Sequence, residues 1–282
     1  MSLRFRVMVW VMAFTFASPG LFGSNAFEYR DVEFVRHGDL RLAFDAKVPR
    51  LGMRAPAVIV VHGGGWVRGD RRTEVEPLFK PLTEAGIAWF SIDYRLMNDI
   101  AQFGNGIDDV ASAIRFIKAH AAEYRIDPER IALVGESAGG QLAAMAALRN
   151  DPELRVRAVV GLYMPSDLGL LAQNSKMVPQ WIRDNVRGTA WEGVLMGRLK
   201  QLSPIEHLRR GMPPFLLIHG TADTLVPFAQ SQAMCDRIRA AGGSCELYPV
   251  DGAGHGIQWW ESTSYANGYK HELTRWLKEK LA

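Results

Sequence analysis

Short runs of apolar residues, many of them β-branched, recur along this chain and constrain its fold more than any other feature. The clearest run covers residues 57–61, Ala-Val-Ile-Val-Val, in which no polar residue interrupts the apolar side chains. A strand without a polar face is typical of a parallel sheet that is covered on both sides. Similar runs follow at residues 87–92, 131–134, 158–162, 215–218 and 246–250.

Segments with helical periodicity lie between these runs. In residues 107–124, for example, Val110, Ala113, Ile114 and Ile117 recur at a spacing of three and four. Other helices are predicted at residues 73–85, 137–148, 227–240 and 265–281. The alternation of strand and helix predicts an α/β fold with a mostly parallel central sheet and helices on both faces.

Two earlier segments, 28–36 and 40–48, alternate apolar and polar residues and flank the turn signal His37-Gly38-Asp39. This pattern predicts an antiparallel hairpin at one edge of the sheet.

The first 26 residues have the layout of a secretory signal peptide. Arg4 and Arg6 precede an apolar run at residues 7–16, and small residues stand before a predicted cleavage site after Ala26. The apolar run is too short to span a bilayer, which takes about 20 residues. We therefore predict a secreted or periplasmic protein, with residues 27–282 as one domain and no stable membrane anchor after cleavage.

Cys235 and Cys245 are the two cysteines of the chain, and both fall in the predicted exported domain. An oxidising compartment permits a disulfide between them, which would tie a predicted helix to the strand that follows it. Two buried free thiols are the alternative.

Ser137 stands in the run Gly135-Glu-Ser-Ala-Gly139, directly between a predicted strand and a predicted helix. A serine on such a sharp turn projects its hydroxyl above the sheet, and the helix N-terminus favours the negative charge that develops in acyl transfer. The motif alone occurs by chance, but its strand–turn–helix setting predicts that Ser137 is a nucleophile.

A serine hydroxyl needs a base, and the base needs an orienting acid. His255 lies in a glycine-rich loop after the last predicted strand, and Asp223 follows the strand before it. The order Ser137, Asp223, His255 is the one used by triads on doubly wound sheets. The alternatives are a turn-forming aspartate and a surface histidine. No metal-ligand spacing of His or Cys occurs, so we predict neither a metal nor a cofactor.

The segment His62-Gly-Gly-Gly-Trp66 follows the buried strand at residues 57–61. We predict that the N–H groups of Gly64, Gly65 and Ala138 form an oxyanion hole. A phosphate-binding loop is the alternative, but the helix and the lysine that such a loop requires do not follow. His62 is assigned to holding the loop, and Trp66 to binding substrate or packing the loop.

Residues 166–203 interrupt the alternation, because a simple crossover needs far fewer residues. We predict a small cap insertion above the sheet that shapes a pocket. A longer crossover without substrate contact is the alternative.

Taken together, the glycine loop, the nucleophile segment, Asp223 and His255 resemble hormone-sensitive-lipase-like esterases, and most closely their compact branch called BD-FAE. Two further segments carry the resemblance, at residues 91–96 and 126–130. The resemblance implies the α/β-hydrolase fold and a secreted carboxylic ester hydrolase that acts on short-chain acyl esters or on acetyl or feruloyl esters of plant polysaccharides. The chain departs from the family at Gly104, near the entry of a predicted helix, and at Gln141, beside the nucleophile turn.

Two other functions remain open from the residues alone. An amidase, an aryl formamidase or a peptidase of the prolyl-oligopeptidase type would use the same triad, and a non-catalytic binding module could share the fold. The charged residues, whose formal net charge is +3, are scattered along the chain. We therefore predict no nucleic-acid partner. The sequence leaves the oligomeric state open.

Overall fold

The computed structural model describes residues 25–50, 52–98, 102, 104–174 and 188–282. The predicted signal peptide therefore lies almost entirely outside the described residues, as does the middle of the predicted cap. Among the described helices, none is both long and apolar enough to cross a membrane.

One sheet of eight strands runs through the described part of the chain, in the order β1-β2-β4-β3-β5-β6-β7-β8. The first two strands pair antiparallel with each other, β2 pairs antiparallel with β4, and the remaining neighbours are parallel. The mostly parallel sheet and its edge hairpin were both predicted. The strands are β1 (Ala26–His37), β2 (Leu40–Pro49), β3 (Ala55–Val61), β4 (Ala88–Ile92), β5 (Ile126–Glu136), β6 (Ala158–Leu162), β7 (Phe215–Gly220) and β8 (Cys245–Val250).

The helices cover both faces of the sheet, because alternate strand residues enter two separate cores. In β3, Ile59 and Val61 pack with α2, α3 and α6, whereas Val58 and Val60 pack with α1 and α8. The described helices are α1 (Glu76–Glu84), α2 (Asn105–Ala119), α3 (Ser137–Leu148), α4 (Leu168–Asn174), α5 (Ala190–Gln201), α6 (Ala229–Ala240), α7 (Ile257–Trp260) and α8 (Tyr265–Lys280).

The largest differences from the sequence prediction lie between α2 and β5. The helix predicted at residues 107–124 ends at Ala119, and β5 begins at Ile126 rather than at residue 131. Arg125 adopts a left-handed backbone conformation with φ 57°, and its carbonyl accepts a hydrogen bond from the N–H of Ala55. This turn ends the helical region and lets Ile126 pair with β3.

The predicted cap is represented by α4 and α5, with residues 175–187 outside the described part. Leu199 and Leu202 of this segment are buried in the core. The described end of the segment therefore packs against the body of the fold, and its role in shaping a pocket stays a prediction.

The predicted disulfide between Cys235 and Cys245 is present, with Cα atoms 5.3 Å apart. It joins α6 to the first residue of β8, the last strand of the sheet. The bond limits how far the edge of the sheet can separate from its covering helix.

Asp45 of β2 lies at the centre of a cluster of charged side chains, and this cluster connects the edge hairpin to the segment after β3. Its carboxylate accepts hydrogen bonds from Arg72 Nε at 2.7 Å and from the N–H of Asp31 at 2.8 Å, and Arg71 Nε lies 3.3 Å away. Arg71 also contacts Asp93 after β4 at 2.6 Å. Burial acts to raise the pKa of Asp45, but these donors and the two arginine charges outweigh it and lower the pKa to about 2.

This shift predicts how stability depends on pH. Because the pKa of Asp45 is lowered in the folded state from an ordinary value of about 4, its contribution is complete above pH 4 and is lost as the pH falls towards 2. We expect Asp45→Asn to lower the free energy of unfolding by about 2–3 kcal/mol at pH 7, and the difference from wild type to shrink below pH 4. Urea unfolding at pH 7, 5 and 3 measures this difference.

Asp236→Asn, on the exposed side of α6, is the control and should show little effect at any pH. A difference that stays constant down to pH 3 would contradict the assignment.

Candidate active site

Four parallel strands, β3, β5, β7 and β8, end at the same edge of the sheet, and the predicted site residues follow those ends. Ser137 comes directly after β5, Asp223 follows β7 and His255 follows β8. The segment after β3, residues 62–69, is called the oxyanion loop below, and residues 251–257 after β8 are called the base loop.

Ser137 is the first residue of α3 and has a φ of 50°, a backbone conformation that residues other than glycine rarely adopt. Such strain persists where the surrounding structure holds it in place. At Gly139, a Cβ atom would overlap the carbonyl oxygens of Val61 and His62. Glycine at this position therefore lets the strand-to-helix turn close directly against the oxyanion loop.

Ser137, His255 and Asp223 form a continuous hydrogen-bonded series. Ser137 Oγ lies 2.9 Å from His255 Nε2, and His255 Nδ1 lies 2.6 Å from Asp223 Oδ2. A carboxylate can only accept, so Nδ1 carries the proton and Nε2 is left to accept from the serine hydroxyl. The geometry aligns the serine proton with a nitrogen that can take it, as general-base activation requires.

The Asp223 carboxylate is held by more than the ring of His255. Its Oδ1 accepts from the N–H groups of Leu225 and Val226, each at 2.9 Å, and its Oδ2 lies 3.2 Å from His219 Nε2. Burial acts to raise the pKa of Asp223, but the hydrogen bonds from the two histidines and from the backbone hold it well below the ordinary value. Asp223 is therefore ionised at neutral pH and favours a positive charge on His255.

His219 is a site residue that the sequence analysis missed. Its ring is fully buried, with Nε2 2.8 Å from the carbonyl of Val226 and Nδ1 2.7 Å from Ser231 Oγ. Since both neighbours of Nε2 are acceptors, that nitrogen carries the proton. The available signal was its position at the end of β7, four residues before Asp223.

The oxyanion loop turns sharply at its glycines. Gly64 and Gly65 have φ values of 103° and 62°, and a Cβ at Gly64 would overlap the carbonyl oxygen of Arg68. Neither of their N–H groups donates to a backbone carbonyl within the described ranges. Ala138 is the second residue of α3, where a backbone N–H has no partner within the helix. The structure thus brings the three predicted donors to the same end of the sheet as Ser137, and their role stays a prediction.

His62 supports this loop from inside. Its Nδ1 lies 2.8 Å from the carbonyl of Gly63, and its ring stacks on Tyr94 with centroids 4.3 Å apart. The hydroxyl of Tyr94 donates to the same Gly63 carbonyl at 2.9 Å. Burial lowers the pKa of His62, so the ring is neutral at pH 7. These contacts fit the predicted structural role.

Trp66 is fixed by a contact that the sequence analysis did not foresee. Its indole N–H donates to Gln141 Oε1 at 2.9 Å, and the Gln141 amide donates to the carbonyl of Leu202 at 2.7 Å. Gln141 is buried one turn after Ser137 on α3. Trp66 and Leu142 also line a small cavity together with Tyr94 and Met97. Trp66 therefore forms one wall of this cavity, and its contact with substrate stays a prediction.

In the part of the chain that the structure describes, no group of three or more His, Cys, Asp or Glu side chains is arranged to hold a metal ion.

Comparison with known proteins relates this geometry to a family. The family model BD-FAE matches residues 45–238. Esterase LipQ of Mycobacterium tuberculosis is 33% identical over 207 residues, which cover 70% of this chain and 49% of LipQ. An acetylxylan esterase of Xylanibacter ruminicola is 26% identical over 228 residues, covering 79% of this chain and 45% of the relative. The chain thus spans about half the length of the curated relatives it matches.

Among solved structures, the propionate-bound form of esterase Est2 from Thermogutta terrifontis superposes with a TM-score of 0.73 at 26% identity. The match covers 90% of this chain and 94% of Est2. The eight-stranded sheet and this likeness together identify the fold as that of the α/β-hydrolases.

The hydrogen-bonded series predicts the effect of removing the aspartate charge. Asp223→Asn should slow the reaction of Ser137 with a fluorophosphonate about 10⁴-fold, because an amide no longer fixes the His255 tautomer or favours a positive ring. Mass spectrometry of the intact protein gives the labelling rate. Asp251→Asn, which changes a neighbouring exposed carboxylate bonded to Thr221, is the control. Equal labelling rates for the two variants would contradict the role given to Asp223.

Proposed function

Since the chain belongs to the BD-FAE family, we propose that it is a carboxylic ester hydrolase that uses Ser137, His255 and Asp223 as its catalytic triad. The observation that carries this proposal is the hydrogen-bonded series from Ser137 Oγ through the His255 ring to the buried Asp223 carboxylate, at 2.9 and 2.6 Å. Each group has the neighbour that its role needs, and the pKa of Asp223 is held well below its ordinary value.

In the proposed cycle, His255 Nε2 takes the proton of Ser137 as Oγ attacks the ester carbonyl. The new C–O bond gives a tetrahedral oxyanion, which collapses with cleavage of the bond to the alcohol. The alcohol leaves with the proton from His255, and an acyl group remains on Ser137. Water, activated by the same ring, then releases the acid and restores the serine.

The N–H groups of Gly64, Gly65 and Ala138 are proposed to stabilise the oxyanion. Their backbone positions at a glycine turn and a helix start support this role. Donors built into the backbone need no rearrangement when the charge forms, and one such donor contributes on the order of 10²–10³ in rate.

The proposed substrates are short-chain acyl esters or acetyl and feruloyl esters of plant polysaccharides. The indole of Trp66 is bonded to Gln141, one turn after Ser137 on α3, and we propose that it limits the acyl group to a small one. Trp259 lies just after the base loop with 77% of its surface exposed, whereas Trp260 is buried in the core. An exposed indole four residues after His255 suits a sugar or an aromatic ring.

We also propose that the protein acts after export, in the periplasm or outside the cell. The Cys235–Cys245 disulfide supports this location, because such bonds persist in oxidising compartments. The signal-like layout of residues 1–26 is the second support.

An ester panel tests the proposed function. We expect hydrolysis of p-nitrophenyl acetate and butyrate, less of the octanoate, and release of acetate from acetylated xylan. Ser137→Ala should lower these rates about 10⁴-fold or more, while Ser262→Ala, an exposed serine after α7, should match wild type.

Faster turnover of peptide amides or N-formylkynurenine would identify an amidase or formamidase instead. No turnover of any substrate, together with no labelling of Ser137 by a fluorophosphonate, would indicate a binding module.

A further inference from the structure

Glu136, the residue before the nucleophile, is a buried carboxylate that the proposed mechanism does not use. Its side chain is held by two donors from different parts of the fold. Oε1 accepts from the N–H of Gly63 in the oxyanion loop at 2.7 Å, and Oε2 accepts from the hydroxyl of Tyr163 at 2.6 Å.

Tyr163 extends this connection to the base loop. It follows β6, is fully buried and has a φ of 38°. Its hydroxyl oxygen accepts from the N–H of Ile257 at 2.9 Å, and its ring contacts the His255 ring edge-on with centroids 4.6 Å apart. The strained backbone of Tyr163 therefore places one phenol against both the base and the amide that ends the base loop.

The three hydrogen bonds run towards Glu136 from both sides. The N–H groups of Gly63 and Ile257 can only donate, and Tyr163, which accepts from Ile257, donates its own proton to Glu136 Oε2. Burial raises the pKa of Glu136 above its ordinary value, although the donors Tyr163 and Gly63 act in the opposite direction.

We propose that Glu136 and Tyr163 are positioning residues that fix the oxyanion loop and the base loop relative to each other. Gly63 is adjacent to the predicted donor Gly64, and Ile257 lies two residues after His255. Three hydrogen bonds thus join the group that would hold the oxyanion to the group that would move the proton. The oxyanion donors and His255 must act on the same substrate in the transition state. A shift of about 1 Å between them would therefore cost on the order of 10²-fold in rate.

This inference rests on the proposed function for its catalytic consequence, but the connection itself has a physical signature. Tyr163→Phe leaves the N–H of Ile257 without its acceptor and Glu136 Oε2 without its donor, and buried groups left unpaired loosen the segments that carry them. Both loops should therefore open more often, although only the base loop is in direct contact with Tyr163.

The experiment compares Tyr163→Phe with Tyr269→Phe. Tyr269 is also fully buried, its hydroxyl donates to Glu261 at 2.7 Å, and its ring packs edge-on against Trp260. The variants are assayed for kcat and KM on p-nitrophenyl acetate, and by hydrogen–deuterium exchange of the peptides that contain Gly63 and Ile257.

For Tyr163→Phe we expect kcat to fall about 10- to 100-fold with KM within about 2-fold of wild type, and faster exchange in both loops. Tyr269→Phe should leave kcat within about 2-fold and exchange in these loops unchanged. Glu136→Gln offers only one acceptor oxygen to the two donors, and should act in the same direction. Adding it to Tyr163→Phe should lower kcat little further, because the two residues act as one unit.

Equal kcat values for the two tyrosine variants, or faster exchange in the base loop alone, would overturn the inference. If Tyr163→Phe does not fold, Glu136→Gln decides by the same two measurements. Absence of ester hydrolysis in wild type would instead overturn the proposed function, and the exchange comparison would still decide whether the loops are connected.

Discussion

The hydrogen bond from His255 Nδ1 to Asp223, 2.6 Å long, is the interaction on which the rest of the site depends. It sets which nitrogen of the ring faces Ser137, and its strength requires that the aspartate stays ionised although it is buried. That state is maintained by the backbone N–H groups of Leu225 and Val226 and by His219. Much of the segment after β7 is therefore organised around one carboxylate. This arrangement leaves His255 Nε2 in place to accept the proton of Ser137.

The sheet makes this arrangement possible because parallel strands deliver their carboxyl ends to one edge. Ser137 and His255 are 118 residues apart in sequence, yet their side chains meet across the ends of β5 and β8. The close approach of Gly139 to the end of β3 brings the oxyanion loop to the same point. The ion pairs of Asp45 with Arg71 and Arg72 connect the segment after that loop to the edge hairpin. The oxyanion loop is therefore held at both of its ends.

The fold and the residues of the site could be predicted from the sequence because periodicity and glycine spacing are local signals. Apolar runs predicted six of the described strands, alternation of apolar and polar residues predicted the edge hairpin, and the strand–turn–helix context singled out Ser137. The supporting residues could not be found in this way. His219, Glu136 and Tyr163 matter through partners distant in the chain, and no local pattern says which buried polar side chains will meet. Glu136 carried a signal as an acidic residue beside the nucleophile, and His219 carried one at the end of β7, but neither position indicated the partner of the side chain. The start of β5 at Ile126 was missed because it depends on the backbone turn at Arg125, where no glycine marks the conformation.

In the proposed cycle, Ser137 carries the acyl group of the substrate during turnover. The most direct measurement is peptide mass spectrometry of the enzyme quenched in acid during hydrolysis of p-nitrophenyl acetate. We expect an acetyl group on the peptide that contains Ser137. Steady hydrolysis with no acetyl group on Ser137, or with the group on another residue, would show that Ser137 is not the nucleophile.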